Sequence, residues 1–185
     1  AEDPARKLLQ ITQSVVEPIA AAEPLARGDL QFLHAYYVSL LRADPWLQAE
    51  QARRADASFQ EAQNRRMSCF AQLILCDALS MLGDHEEATR GMRKVLALAE
   101  QTHEQLVVLW TVSYLTCALL AQPEPTKEAQ AEARALADGL LRRPTLPRLM
   151  RGLLSAHFAH AERRDGSRRV ALGRARESVE LLRRT

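Results

Sequence analysis

The sequence predicts an all-α fold of about nine helices arranged as antiparallel pairs, and three observations carry that prediction. Ala and Leu dominate an apolar fraction of 47%, while aromatics make up 5% and glycines number 7 in 185 residues. A sandwich or barrel would need more Val, Ile, Thr and turn glycine, so this mix favours helix. Apolar residues recur at helical spacing along the whole chain, and no segment alternates at period two for long enough to predict a strand. Helix-capping residues next to proline or glycine punctuate the chain at short intervals, and short connections make consecutive helices antiparallel neighbours.

Asp3-Pro4 places a cap before a proline in the first helical turn and opens a leading helix over residues 3–22, bent by Pro18. Gly28-Asp29 opens the next helix, with Leu33, Tyr36, Tyr37 and Leu40 on one stripe. Asp44-Pro45 repeats the cap-proline device and starts a helix to about Gln63. A further helix runs from about Asn64 to Leu82 and ends at Gly83. Asp84 then caps a helix to about Gln101, with Glu87 in the capping-box position and Ala88, Met92, Val95, Leu96 and Ala99 as its apolar stripe. The segment from His103 to Ala121 is apolar on every side, which predicts a helix covered all round. Prolines 123 and 125 separate it from a helix over about Thr126 to Arg142, and prolines 144 and 147 make the next break. Two more helices, about Pro147 to Arg164 and Ser167 to Arg184, are split by Asp165-Gly166.

Composition excludes several classes. Ordinary apolar and charged fractions exclude disorder. The longest uncharged run, Gln105 to Gln122, carries Gln, Thr, Ser and Cys and is not expected to span a membrane. No basic stretch precedes an apolar one near the start, so nothing reads as a signal peptide, and the chain is expected to be cytoplasmic. Cys69 and Cys76, seven apart, share a helix face roughly 10 Å apart along the axis, too far for a disulfide. With Cys117 they read as reduced thiols. The chain begins without Met and ends in Leu-Leu-Arg-Arg-Thr while still helix-competent, so it is expected to be a fragment of a longer protein.

A repeat is legible. Tyr37, Cys76, Cys117 and Ala159 are spaced 39, 41 and 42 residues apart, and twelve residues after each comes alanine: Ala49, Ala88, Ala129 and Ala171. Two antiparallel helices approach closely only where small residues meet. In Gly83-Asp84-His85-Glu86-Glu87-Ala88 glycine ends one helix, aspartate caps the next, and alanine seats it on its partner. Here the sequence resembles the tetratricopeptide repeat family, whose helix pairs carry a small residue in helix A, a Gly-Asp/Asn turn and an alanine early in helix B. The resemblance covers one domain of four units, about 28–63, 64–101, 103–142 and 147–184, after the leading helix. Tyr37 is bulky for its position, Arg53 and Asp56 break the apolar stripe of the first B helix, and Glu162 stands where an apolar residue is usual. Units of about 40 residues also exceed the 34 typical of the family.

The resemblance implies a right-handed solenoid whose A helices line a groove for a peptide or protein segment. Carried onto this register, the groove positions are His34 and Val38, Leu73 and Asp77, Tyr114 and Ala118, and His157 and His160. Similar arrays occur in the C-terminal halves of large bacterial signalling proteins, both ATP-dependent transcription activators and serine/threonine kinases, where they sense an effector or hold partners. This chain carries neither kinase nor nucleotide-binding motifs.

Catalytic chemistry is not expected. No phosphate loop, nucleophile elbow or metalloprotease motif is present, and no acid, base or nucleophile can be assembled into a cleft. His157 and His160, with Glu162 behind, have metal-ligand spacing but lack a third ligand, so neither metal nor cofactor is predicted. His85 and His103 begin helices, and Trp46 and Trp110 read as core. Charge is uneven. Residues 142–185 hold 12 Arg against 4 acids, a net of +8, while residues 1–141 hold 13 basic and 19 acidic residues, a net of −6. Arg169, Arg176 and Arg183 recur every seven residues on the last helix and form one stripe that could meet nucleic acid or an acidic partner. The alternative to a peptide scaffold is therefore a nucleic-acid-binding helical domain, although few aromatics and no reader helix accompany the arginines. The leading helix, with Leu8, Leu9, Ile11, Val15, Val16 and Ile19 over a wide arc, is expected to meet a second copy or, in the full protein, the preceding domain.

Overall fold

A computed structural model describes residues 10, 14, 23–41, 44–143, 146–164 and 166–183, the side chains of 149 and 164 excepted. The leading helix expected over 3–22, and the dimer contact expected from it, lie outside the described residues apart from Gln10 and Ser14. Among the described residues there are eight helices and no strand: α1 (Pro24–Leu41), α2 (Pro45–Glu61), α3 (Arg65–Met81), α4 (His85–Gln101), α5 (Gln105–Ala121), α6 (Lys127–Leu141), α7 (Arg148–Arg164) and α8 (Arg168–Leu182). The all-α prediction holds, and within the units consecutive helices pack on one another as in a helical repeat, α1 on α2, α2 on α3, α3 on α4 and α7 on α8.

From α2 to α5 the helices start at 45, 65, 85 and 105, each 17 residues long, so one helix follows another every 20 residues. The turns that enforce this period are alike. Gln63, Gly83 and His103 adopt φ of 54°, 90° and 57°, and Gly166 does the same at 84° before α8. At each, the next residue's N–H reaches back to the carbonyl of the helix's closing turn: Asn64 to Phe59 (2.8 Å), Asp84 to Leu79 (3.0 Å), Glu104 to Ala99 (2.9 Å) and Ser167 to Glu162 (2.9 Å). Carbonyls left over at a helix end are thereby satisfied, and the chain reverses within three residues. At two of these turns that same residue also caps the next helix with its side chain: Asn64 Oδ1 accepts from the Met67 N–H at 3.1 Å and Asp84 Oδ1 from the Glu87 N–H at 3.2 Å. Asp44 and Thr126 cap α2 and α6 in the same way, at 3.0 and 3.1 Å. The Glu87 carboxylate is taken by Arg90 at 2.7 Å, so the expected capping box is half formed.

The chain divides into two compact units, Ala1–Val108 and Leu109–Thr185. In the first, α1 begins at Pro24 and not at Gly28, which lies inside the helix. A Cβ on Gly28 would stand 2.7 Å from the Phe59 ring, so glycine is there for close approach of α2. Phe59 is fully buried and meets Phe32 edge-on at 6.3 Å. Ala35, Ala52 and Ile74 form a buried cluster across α1, α2 and α3, and on the partner helices Ala49 and Ala88 are fully buried as the repeat requires. Ala35 and Ile74 are 39 apart, and Ser39 bonds Asp77 with a similar offset, so α1 and α3 run parallel at the spacing read from the sequence. The α3–α4 seam is equally tight, since a Cβ on Gly91 would meet the Cys76 Sγ at 2.5 Å.

Expectations about side-chain burial also fail in this unit. Of the stripe Leu33, Tyr36, Tyr37 and Leu40, Tyr37 is half-buried and the other three are exposed, because the seam of α1 takes Gly28, Ala35, Val38 and Ser39 instead. Trp46, expected in the core, is 71% exposed at the start of α2.

In the second unit α7 and α8 pair antiparallel. Ser178 Oγ donates to the Gly152 carbonyl at 2.8 Å, and a Cβ on Gly152 would stand 2.9 Å from the Leu182 side chain. Glu162, out of place in an apolar register, accepts from Arg174 Nε at 2.9 Å, and that guanidinium lies 5.2 Å over the Phe158 ring. In α5, whose first turn belongs to the first unit, nine residues are buried on one wide face, among them Val107, Thr111, Leu115 and Leu119. Leu106 is exposed and Trp110, Ser113, Tyr114 and Cys117 are half-buried along the opposite arc, so the helix is not covered all round as its apolar sequence predicts. Cys117, expected to be buried there, is half-buried, and Ala129 on α6 likewise, while Ala159 and Ala171 are buried.

Candidate functional site

In the first unit the expected groove positions separate by burial. Val38 and Leu73 keep 6% and 1% of their surface exposed, so they belong to the packing of this chain and cannot meet a partner. They face seams because α1 and α3 lie side by side, which turns these positions inward. His34 is half-buried and accessible. Asp77 is almost fully buried but polar, and it organises its surroundings. Its Oδ2 accepts from Ser39 Oγ of α1 at 3.2 Å and from Gln48 Nε2 of α2 at 3.1 Å, and the same Gln48 amide reaches the Ile74 carbonyl at 3.0 Å. Gln48 is fully buried, and its Oε1 finds no donor in the structure. A buried carboxylate needs such donors, so this cluster fixes how the three helices meet. Nothing in the sequence marks Gln48 or Ser39, since both look like ordinary polar positions until the helices are brought together.

A second polar cluster ties α2 to α3. Asp56, which breaks the apolar stripe of α2, accepts from Ser68 Oγ at 2.5 Å, Gln60 Nε2 at 3.0 Å and Gln72 Nε2 at 3.3 Å. Beside it lies an open cavity of about 590 Å³ lined by Phe59, Gln60, Gln63, Arg65 and Ser68. Its lining offers the Gln60 and Gln63 amides, the Arg65 guanidinium and the Ser68 hydroxyl. Burial pushes the Cys76 thiol up to about 12, with the Glu87 and Asp77 carboxylates adding to the rise, and burial also raises Cys69.

In the second unit Tyr114 is half-buried, its ring 6.2 Å from that of Trp110, whereas Ala118 is buried and is core. His157 is half-buried and His160 exposed on α7. Their neighbour Glu162 is committed to Arg174. Among the described residues no group of three or more His, Cys, Asp or Glu side chains is gathered as a metal site would need, and no helix is long and apolar enough to cross a membrane. Arg169 and Arg176 on α8 and Arg183 at its C-terminal cap are all exposed. Between them lie Leu172 and Val179, also exposed, which the sequence reading passed over although they complete the same heptad spacing.

No family model, no curated protein and no solved structure matches this chain.

Proposed function

We propose that this chain is a non-catalytic scaffold that binds a peptide or protein segment, and that it serves as the sensor or partner-binding region of a cytoplasmic bacterial signalling or regulatory protein. The observation that supports it is the parallel placement of α1 and α3 at the repeat offset, with small-residue seams behind them and the His34 imidazole left accessible in front. In a helical repeat, that face is where side chains not needed for stacking remain available to a ligand. The accessible candidates are His34 in the first unit and Tyr114, His157 and His160 in the second. Asp77, held by neutral donors, sets the geometry of the first face from within.

Selection of displayed peptides against the whole chain tests this. A selected peptide should bind saturably, and His34→Ala or the pair His157→Ala and His160→Ala should weaken it about tenfold, as loss of a central contact does. If no peptide is recovered, while duplex DNA binds with an affinity falling steeply with salt, the scaffold reading is wrong and nucleic-acid binding takes its place.

A further inference from the structure

We propose that the outward face of α8 is a docking surface for an acidic amphipathic helix of another protein. The helix turns Ala171 and Ser178 into its seam with α7, and Ser178 is tied there to the Gly152 carbonyl. On the side away from that seam, Arg169, Leu172, Arg176, Val179 and Arg183 follow one another at steps of three and four residues, the spacing that keeps side chains in one stripe. All five are exposed, Leu172 by 53% and Val179 by 46%. The stripe's lower half borders a shallow depression of about 320 Å³ lined by Ala175, Arg176, Val179, Glu180 and Arg183.

A merely solvated face has no need for aliphatic side chains in step with its arginines. The combination matches what a partner helix requires: two apolar anchors for its own apolar ridge, and guanidinium groups on either side for carboxylates. Arginine suits both parts, because its stem extends the apolar surface and its head pairs a carboxylate through two hydrogen bonds. Arg174 shows the paired state within this same helix, with Glu162 and Phe158 as its partners. Among the described residues, Arg169, Arg176 and Arg183 have no ion pair, and Glu180 alone sits at the edge of their stripe. The net +8 of residues 142–185 adds a field that draws an acidic partner in. From Arg169 to Arg183 the stripe runs roughly 21 Å, the length of about four helical turns. Nucleic acid would satisfy the arginines but leave Leu172 and Val179 without a complement. Two half-exposed aliphatic residues are also too little apolar surface to hold a helix in a bilayer.

The test uses the full chain and a fluorescein-labelled synthetic peptide of three heptads, with leucine at the positions meeting Leu172 and Val179 and glutamate at those meeting the arginines. Fluorescence anisotropy should show saturable binding that Arg176→Glu weakens about tenfold or more, as breaking a complementary charge pair does. Val179→Ser or Leu172→Ser should weaken it several-fold, since a buried anchor is lost. A peptide with one glutamate replaced by arginine should in turn bind the Arg176→Glu chain better than the parent chain. These positions are exposed, and circular dichroism confirms that each variant keeps its helix content. The proposal is overturned if the peptide does not bind, or if both serine variants bind it as tightly as the parent. It is equally overturned if a short DNA duplex or phosphatidylserine vesicles bind the chain more tightly than the peptide and lose that binding on Arg176→Glu.

Discussion

Single positions in the turns carry much of the regularity of the chain. Gln63 and His103 hold positive φ in the same role as Gly83 and Gly166, at a steric cost that glycine avoids. Gln63→Gly should therefore stabilise the chain by about 1 kcal/mol, and Gly83→Ala should destabilise it by a similar amount. Thermal unfolding reads both, and an unchanged midpoint for Gly83→Ala would mean that this turn does not need its left-handed residue. Only one of the two signals was visible beforehand: Gly83 and Gly166 announce a turn by their chemistry, whereas Gln63 and His103 do not. Cys76 makes a second case. A thiol raised from about 9 to about 12 stays protonated in the folded chain while an unfolded chain would ionise it. Its contribution is thus fully present below pH 9 and is lost as pH rises towards 12. Urea unfolding at pH 8 and pH 10.5 should show a loss of stability that is smaller in Cys76→Ala, and iodoacetamide should label Cys76 at pH 8 only after denaturation. Labelling of the native chain at that pH would show that the α3–α4 seam opens readily.

Helices were the most legible features, because each is bounded by a residue with a defined chemical task. Asp44, Asn64, Asp84 and Thr126 all accept a hydrogen bond from the N–H three residues on, as their types and positions predict. Asp84→Ala should cost about 1 kcal/mol in chemical denaturation, and Asp84→Asn much less, since the amide oxygen can still accept. Faces were less legible than boundaries. Leu33, Tyr36 and Leu40 form an apolar stripe by spacing, yet α1 turns its smaller residues to α2 and α3. Periodicity marks an apolar face but does not say which of two faces a close seam will select; Gly28 against Phe59 selects it here. The candidate groove suffered from the same ambiguity, since a rotation of one position decides whether Leu73 meets a ligand or the core. Helix α5 shows the ambiguity most plainly, since it is apolar on every side in sequence and yet buries one wide face. With Val107, Thr111, Leu115 and Leu119 all buried, its amides should exchange more slowly than those of any other helix. Exchange there as fast as in α8 would contradict that burial.

For the molecule as a whole, the 20-residue helix period makes stability a matter of neighbours. Sequence spacing exposed the repeat because close seams demand small side chains at a fixed offset, and Ala35 with Ile74 realises the offset of 39. What spacing could not expose is the polar matching between helices, such as Asp77 with Ser39 and Gln48, because those partners are 38 and 29 residues away and share no motif. Such a chain, built mostly from contacts between successive helices, should respond locally to a local insult. Gly28→Val provides one. Its Cβ would stand 2.7 Å from a ring that is fully buried and cannot swing aside, so α1 and α2 must separate. Forcing side-chain atoms into a filled seam costs about 1–3 kcal/mol. In hydrogen exchange the amides of α1 and α2 should then open faster, those of α3 to a lesser extent through Ala52 and Ile74, while α7 and α8, held together by Ser178 and Gly152 in the other unit, keep their parent rates. A uniform acceleration across all helices would mean that the chain unfolds as a single cooperative body and that its repeated helices do not act as separable elements.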